Sequence, residues 1–174
     1  MDLNTLIRNV SDWPKPGIQF KDITPLLRDP AGLAMAVELM ASPWRGKNVD
    51  LVCGAESRGF IFGTAIAQAL SAGFVPIRKP KKLPAKTHAI SYDLEYGSDT
   101  LEVHADAVMK GQRVLMVDDL LATGGTMKAS CDLIDKMGGD IVGISVLIEL
   151  SFLPGRKLVS GHGNVHAVLT YDSE

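Results

Sequence analysis

The sequence has little net charge and few cysteines, and it contains no internal repeat or low-complexity segment. A formal net charge of -2 offers no overall field that would attract nucleic acid or an anionic membrane, so we expect neither partner. Cys53 and Cys131 lack the spacing of a metal site, which predicts two buried thiols in a reducing cytosol. The N-terminal residues lack the apolar segment of a secretory signal, and we therefore expect a cytoplasmic protein.

Long uncharged runs are also scarce, and the one that could nominally span a bilayer is interrupted. It covers residues 59–77, which approaches the length of a transmembrane helix. Gly73 and Pro76 break the run, and the polar side chain of Gln68 dilutes it. We therefore predict a buried helix followed by a buried strand of a soluble protein.

Apolar runs that suit buried strands alternate along the chain with segments of helical period. Strands are predicted at 49–56, 74–80, 112–119, 140–150 and 165–171, and helices at 57–73 and 125–138. Ser57 and Gly73 are expected to cap the two ends of the first helix. This order predicts a single α/β domain over residues 1–174, with an open, mostly parallel sheet flanked by helices.

Charged residues cluster where several of the predicted strands end. In open parallel sheets, ligands bind beyond the carboxyl ends of the strands. The residues at these ends are Glu56, Arg58, Arg78, Lys79, Asp118 and Asp119. Their convergence predicts a binding site for a charged ligand at this edge of the sheet.

Residues 78–104 interrupt the alternation of strands and helices. Residues 78–89 are basic, contain prolines and have no apolar period, which predicts a long mobile loop. Residues 90–104 alternate around Gly97, Ser98 and Asp99, and they are predicted to form a β-hairpin. Together the two segments predict a flexible flap, over about residues 80–104, that covers the site.

The turn at residues 122–126, ATGGT, opens a predicted helix and has little value for packing. The N-terminus of a helix presents free backbone N–H groups and the positive end of its dipole, so it can bind phosphate. Gly124 and Gly125 would let the backbone approach phosphate oxygens, and Thr123 and Thr126 would add hydroxyl donors. The sequence lacks the Walker and GxGxxG patterns, and an ordinary capped helix stays open as an alternative.

Asp118 and Asp119 lie four to five residues before Thr123 of this turn and change its interpretation. Their carboxylates could accept hydrogen bonds from the hydroxyls of a sugar whose 5-phosphate lies in the turn. They could also orient a magnesium ion through water or sugar oxygens. The alternative is a solvated acidic pair at the end of a strand.

The stretch VLMVDDLLATGGT, residues 114–126, resembles the phosphoribosyl pyrophosphate motif of the type I phosphoribosyltransferases. The similarity extends over most of the chain, and two of its stretches are typical of the branch that uses adenine: PKPGIQFKDITPLL (14–27) and SYDLEYG (91–97). GAESRGFIFG (54–63) and IRKPKKLP (77–84) also match. The resemblance implies a homodimeric, Mg²⁺-dependent purine salvage enzyme with a small N-terminal hood over about residues 1–30. It would transfer the phosphoribosyl group to N9 of adenine, giving AMP and pyrophosphate.

The resemblance also implies a role for each matching residue. The acidic pair, Asp118 and Asp119, would hold the ribose hydroxyls. Magnesium would be bound mainly through substrate oxygens near that pair, and no direct protein ligand is assigned. The 5-phosphate would be bound by Ala122, Thr123, Gly124, Gly125 and Thr126. Pyrophosphate would contact Glu56, Ser57, Arg58, Arg78, Lys79 and Lys82.

The adenine ring would lie between Phe20 and Leu120. Main-chain groups around Gln19 and Lys21 would recognise its Watson–Crick edge by hydrogen bonding. Glu95 is the expected catalytic residue, handling the proton of the purine. The Glu56–Ser57 peptide would be cis, and Glu56 stands where many relatives carry Asp.

Several alternatives remain open from the sequence. The substrate could be another base (xanthine, hypoxanthine or orotate), or the chain could be a non-catalytic sensor of the sugar diphosphate. Phe20 could be a core residue and Glu95 a surface carboxylate. His162 and His166 are four residues apart but have no third ligand in the sequence pattern, so neither is expected to bind a metal.

Overall fold

The computed structural model describes residues 1–94 and 97–173. The chain begins with a short 3-10 turn, Leu3–Leu6, and the 3-10 turns Ser42–Trp44 and Ser160–His162 occur later. The strands are β1 (Arg8–Ser11), β2 (Gln19–Asp22), β3 (Leu51–Ala55), β4 (Gly73–Ile77), β5 (Thr87–Asp93), β6 (Ser98–His104), β7 (Arg113–Leu121), β8 (Asp140–Leu150) and β9 (Val165–Tyr171). The helices are α1 (Thr24–Arg28), α2 (Pro30–Ala41), α3 (Arg58–Leu70), α4 (Gly125–Lys136) and α5 (Gly155–Leu158).

The centre of the fold is a five-stranded parallel sheet with the strand order β4-β3-β7-β8-β9. Alternate residues of β7 contribute to two different core clusters, as expected for a strand buried on both faces. Val114 and Met116 pack in the cluster that includes α4, whereas Leu115 and Val117 pack with α2 and α3. The predicted α/β architecture is therefore confirmed.

Most predicted element boundaries agree with the structure, and β8 and β9 have the predicted limits. The expected cap at Gly73 is wrong, because α3 ends at Leu70 and Ser71 follows it in the left-handed conformation, with a φ of 55°. Gly73 instead begins β4. Ser57 occupies the N-cap position but its side chain makes no capping hydrogen bond.

Strand β7 continues beyond the two acidic residues, to Leu121. Leu120 pairs with Ile148 of β8, and Leu121 pairs with Glu149. The sequence-based boundary at residue 119 was therefore too early, since apolar side chains resume after the carboxylates and sheet pairing continues through them.

A β-hairpin is present in the region predicted as a flap, but its position differs. Thr87 pairs with His104 at one end and Asp93 pairs with Ser98 at the other, so Ser98 and Asp99 belong to a strand and not to the turn. Leu101 and Val103 are almost fully buried in the core cluster of α4. The hairpin thus has an apolar anchor that the basic composition of the preceding loop did not suggest.

None of the helices in residues 1–94 and 97–173 is long and apolar enough to cross a bilayer. Cys53 and Cys131 are free and buried, as expected, and burial raises the pKa of both thiols. Strands β1 and β2 form a separate antiparallel pair before the main sheet.

Candidate active site

A cavity of about 430 Å³ opens at the carboxyl ends of the central strands. It brings together residues from β7, from the turn before α4 and from the turn before α3. Its lining residues are Glu56, Ser57, Arg58, Asp118, Asp119, Leu120, Leu121, Ala122, Thr123, Gly124, Gly125, Thr126 and Met127. The structure therefore assembles most of the predicted site in one place.

The turn at residues 122–126 leads directly into α4, whose first residue is Gly125. Gly124 occupies the N-cap position with a φ of 87°, a left-handed conformation that glycine adopts without steric cost. A Cβ atom on Gly124 would lie 2.8 Å from the Cα of Gly155, so the turn is also in close contact with a neighbouring segment. Glycine at this position follows from both constraints.

Gly155, the first residue of α5, supports this turn and was not identified from the sequence. Its N–H donates a hydrogen bond of 3.1 Å to the carbonyl oxygen of Ala122. A Cβ atom on Gly155 would overlap that same oxygen. The close approach of the two backbones fixes the turn without using any side chain.

An ion pair between a buried carboxylate and a half-exposed arginine holds α5 beside the turn. Glu149, near the end of β8, is 4% exposed, and its carboxylate accepts from Arg156 Nε at 2.7 Å and from the second guanidinium nitrogen. Arg156 also donates to the carbonyl oxygen of Val165 at 2.9 Å. The hydrogen bonds with Glu149 raise the pKa of Arg156. An acid near the end of a buried strand was the available sequence signal, as it was for Asp118 and Asp119.

Of the two acids of β7, Asp119 is buried and Asp118 is half-buried, so the alternative of a fully solvated acidic pair is wrong. Asp119 is 4% exposed, and its Oδ2 lies 2.6 Å from Arg58 Nε. Asp118 Oδ1 accepts a hydrogen bond of 2.8 Å from the Asp119 N–H. Burial and the neighbouring Asp119 raise the pKa of Asp118 well above its ordinary value. A Cβ on Gly59 would lie 3.2 Å from Asp118 Oδ1, so α3 begins close against this carboxyl group.

Three of the four basic residues predicted to bind pyrophosphate are paired with an acid. Arg58 pairs with Asp119, and Arg78 Nε lies 3.3 Å from Glu56 Oε1. The Lys79 N–H donates to Glu56 Oε1 at 2.7 Å, and its ammonium forms an ion pair with Asp99 of β6. Glu56 therefore holds two of the basic residues beside the cavity.

Two details complete this side of the cavity. The Glu56–Ser57 peptide bond is cis, as the family resemblance implies. Lys82 is exposed, and its carbonyl oxygen lies 3.5 Å from Arg78 Nη1.

The residues expected to bind adenine lie on β2 and β7. The Phe20 ring packs edge-on against Trp13, with centroids 4.4 Å apart, and its centroid is 5.2 Å from the Arg58 guanidinium carbon. Leu120 lines the cavity. Phe20 is therefore connected to the cavity through Arg58.

The side chains of Gln19 and Lys21 are engaged elsewhere. Gln19 Oε1 accepts from the Ser11 hydroxyl at 3.0 Å. Lys21 is 7% exposed, donates to Asn9 Oδ1 at 2.8 Å and lies over the Tyr171 ring. Gln19 Oε1 and Lys21 Nζ therefore already have partners within the N-terminal part of the fold and at Tyr171. Glu95, the expected catalytic residue, falls outside the described residues.

A histidine with two neighbouring carboxylates lies at the other end of α4. His162 Nδ1 is 2.8 Å from Asp135, and its Nε2 is 3.1 Å from Asp132. The expectation that His162 lacks further potential ligands is therefore wrong. The two nitrogens, however, face different carboxylates, so the ring bridges the acids. His166 Nε2 lies 3.0 Å from the carbonyl oxygen of Leu39.

The family model described as "Phosphoribosyl transferase domain" matches residues 23–157. This range includes the cavity, the turn before α4 and the Gly155 contact. The chain belongs to the phosphoribosyltransferase family.

Similar proteins carry a more specific name. The adenine phosphoribosyltransferase of Solibacter usitatus is 56% identical over 98% of both chains, and that of Symbiobacterium thermophilum is 56% identical over 97% of this chain and 99% of the other. The crystal structure of the adenine phosphoribosyltransferase of Thermoanaerobacter pseudethanolicus has a TM-score of 0.94 and 48% identity, covering 97% of this chain and 98% of the other. Within the family, the chain belongs with the adenine phosphoribosyltransferases.

A further similar structure contains a purine analogue. The enzyme of Giardia lamblia, complexed with 9-deazaadenine, has a TM-score of 0.91 and 35% identity, and the match covers 98% of this chain and 96% of the other. The resemblance found in the sequence is thus confirmed at the level of family and fold.

Proposed function

We propose that the chain transfers the 5-phosphoribosyl group from phosphoribosyl pyrophosphate to N9 of adenine, giving AMP and pyrophosphate in purine salvage. The observation that carries this proposal is the joining of three features in one cavity: a phosphate-type turn, two strand carboxylates and the guanidinium group of Arg58. The names of the similar proteins support the same reaction.

The turn Ala122–Thr126 would bind the 5-phosphate through backbone N–H groups and through the hydroxyls of Thr123 and Thr126. Asp118 and Asp119 would then accept hydrogen bonds from the ribose hydroxyls. Burial and the neighbouring Asp119 raise the pKa of Asp118. A raised pKa favours the neutral form of this carboxyl group, which would repel an anionic substrate less than the charged form.

Pyrophosphate would be bound by Ser57, Arg58, Arg78, Lys79 and Lys82, with Glu56 positioning the basic groups. In the structure, Arg58 is paired with Asp119, and Lys79 is paired with Asp99. An anionic leaving group would have to replace these acids as the partner of each cation. Such positive groups stabilise the charge that develops on the departing pyrophosphate.

The donor set of the cavity fits Mg²⁺, because the carboxylate oxygens of Glu56, Asp118 and Asp119 are the hard ligands that this ion prefers. We propose that the ion is held mainly through substrate oxygens, near Asp118 and Asp119. When bound, it would neutralise negative charge on the leaving group.

Adenine would lie between Phe20 and Leu120, with main-chain groups around Gln19 and Lys21 reading its edge. As the bond from N9 to the anomeric carbon forms, the bond from that carbon to the pyrophosphate oxygen breaks, and the N9 proton is lost. Glu95 is proposed to accept that proton. The cavity must exclude water, because the sugar cation would otherwise be hydrolysed.

We also propose a homodimer in the cytoplasm. The buried, free thiols of Cys53 and Cys131 suit a reducing compartment. Exposed apolar side chains on the neighbouring helices α2 and α3, namely Met35, Leu39 and Ile61, support a second copy as the partner. Sedimentation analysis tests this directly, and a monomer at micromolar concentration would contradict it.

A spectroscopic assay of AMP formation tests the function. With Mg²⁺ and phosphoribosyl pyrophosphate, adenine should react with a kcat/KM roughly 10²–10⁴-fold above that of hypoxanthine, because hypoxanthine presents reversed donors and acceptors at its edge. Xanthine, guanine and orotate complete the panel. Reaction of hypoxanthine or guanine within tenfold of adenine would contradict the choice of base, and binding of the sugar diphosphate without any turnover would indicate a sensor.

A further inference from the structure

Tyr92 of β5 connects the hairpin to the turn before α4. Its hydroxyl lies 3.0 Å from the Thr126 hydroxyl. Its ring lies over Gly125, where an added Cβ would be 3.6 Å from two ring carbons. A side chain of the hairpin thus contacts the proposed 5-phosphate turn through both a hydrogen bond and packing.

Asp99 extends this contact to the basic side of the cavity. It is paired directly with Tyr92 across the hairpin, and its Oδ2 accepts a long hydrogen bond of 3.4 Å from the Tyr92 hydroxyl. The same carboxylate forms the ion pair with the Lys79 ammonium. A continuous series of polar contacts therefore runs from Thr126 through Tyr92 and Asp99 to Lys79.

The number of hydroxyl protons limits how this series can be arranged. Tyr92 and Thr126 each have one O–H donor, and the Asp99 carboxylate can only accept. If Thr126 donates to a phosphate oxygen in the turn, its oxygen is left to accept from Tyr92. The Tyr92 proton is then directed away from Asp99, which loses one of the contacts that keep it beside Lys79.

We propose that Tyr92 is a positioning residue that couples occupation of the 5-phosphate turn to the placement of the hairpin and to the Lys79–Asp99 ion pair. This inference rests on the proposed function, because the ligand of the turn is taken to be a sugar 5-phosphate. Tyr92 does not touch the reacting atoms; it acts through Thr126 and Asp99.

Hydrogen exchange with ribose 5-phosphate as the probe tests the coupling without any reaction. In the unaltered protein, the probe should slow exchange both in the first turn of α4 and in the hairpin strands 87–93 and 98–104. In Tyr92→Phe, which keeps the ring and removes the hydroxyl, slowing should persist in α4 but fall by at least threefold in the hairpin. Tyr171→Phe is the matched control, since it removes a hydroxyl that bonds Asn4 at 3.1 Å, and it should behave like the unaltered protein.

Steady-state kinetics provide a second readout. Loss of one neutral hydrogen bond should raise the KM for phosphoribosyl pyrophosphate roughly 2- to 12-fold, with the KM for adenine unchanged. In a Thr126→Val background, Tyr92→Phe should add less than twofold, because the partner hydroxyl is already gone. An equal rise in both backgrounds would overturn the role of this hydrogen bond.

The outcomes separate the two proposals. If ribose 5-phosphate binds and protects the hairpin equally in Tyr92→Phe and in the unaltered protein, the coupling is overturned while the proposed function stands. If ribose 5-phosphate does not bind the unaltered protein, both are overturned. Should Tyr92→Phe prove unstable, Asp99→Asn tests the other end of the series, and it should increase the affinity for inorganic pyrophosphate by releasing Lys79.

Discussion

The turn at residues 122–126 and the basic side of the same cavity are built in different ways. The turn is fixed by backbone contacts: Gly124 is left-handed, and the Gly155 N–H bonds the Ala122 carbonyl oxygen. On the basic side, Arg58 and Lys79 are held by ion pairs with Asp119 and Asp99. The comparison supports the proposal that the turn is a phosphate site formed before substrate binds, whereas the basic residues proposed to bind pyrophosphate would have to exchange their partners.

The largest expected effect comes from removing the acids that take part in this exchange. Asp118→Asn combined with Asp119→Asn should weaken use of phosphoribosyl pyrophosphate, because each lost charge-assisted hydrogen bond costs roughly 1.5–3 kcal/mol. The KM and kcat/KM for that substrate are the measurements, with denaturant unfolding to verify the fold. Unchanged affinity for the sugar diphosphate would remove Asp118 and Asp119 from the site.

A substitution at Gly155 tests whether backbone contacts fix the turn at residues 122–126. Gly155→Ala places a Cβ against the Ala122 carbonyl oxygen, and such overpacking destabilises a fold by roughly 1–3 kcal/mol. We expect a lower free energy of unfolding and weaker binding of ribose 5-phosphate by calorimetry. Gly161→Ala is the control, because no atom lies within 4 Å of an added Cβ there. Equal behaviour of the two variants would show that the turn does not depend on the contact.

The pH dependence of the free energy of unfolding tests the surroundings of Asp118. Because the pKa of Asp118 is raised in the folded protein, the folded state binds more protons than the unfolded state above the ordinary value of about 3.9. The free energy of unfolding should therefore fall as pH rises from that value through the raised pKa.

Asp118→Asn should remove this part of the pH dependence. At pH 7 the variant should be more stable than the unaltered protein, by roughly 1 kcal/mol or more, since the cost of a buried charge disappears. The difference should vanish near pH 3.9. Urea unfolding at a series of pH values measures it, with the exposed Asp106→Asn as the control. A stability difference that is independent of pH would contradict the raised pKa.

The smallest expected effect concerns the base. Gln19→Ala removes a side chain whose Oε1 is engaged with Ser11, so the preference for adenine over hypoxanthine should change by less than about threefold. The ratio of kcat/KM for the two bases is the measurement. A switch in the preferred base would refute recognition by the main chain, whereas Phe20→Ala should weaken binding of any purine through lost stacking.

Features determined by neighbouring residues could be predicted from the sequence. The limits of β8 and β9 follow from mostly apolar runs, and the turn before α4 follows from paired glycines and hydroxyls at the start of a helix. The burial of Asp119 was not anticipated, because it depends on Leu120 and Leu121 continuing the pairing with β8. The local sequence pattern thus identified Asp118 and Asp119 as site residues but did not predict their surroundings.

Contacts between distant parts of the chain could not be predicted from local sequence patterns. Gly155 meets Ala122 only because β8 and α5 return to the turn, and the pair of Glu149 and Arg156 is formed by the same return. Tyr92 reaches Thr126 because Leu101 and Val103 anchor the hairpin in the core. This anchoring was not predicted, because the basic loop before the hairpin indicated a mobile segment. In each case the information lies in tertiary packing.

The most direct test of the contrast between the two subsites is a crystal structure with phosphoribosyl pyrophosphate and Mg²⁺ bound. The account predicts that the main chain of residues 122–126 keeps its present conformation, including the hydrogen bond from Gly155 to Ala122. It also predicts that Arg58 Nε leaves Asp119 Oδ2, now 2.6 Å away, and turns to the pyrophosphate. A complex in which the Arg58–Asp119 pair persists while the turn rearranges would contradict the account.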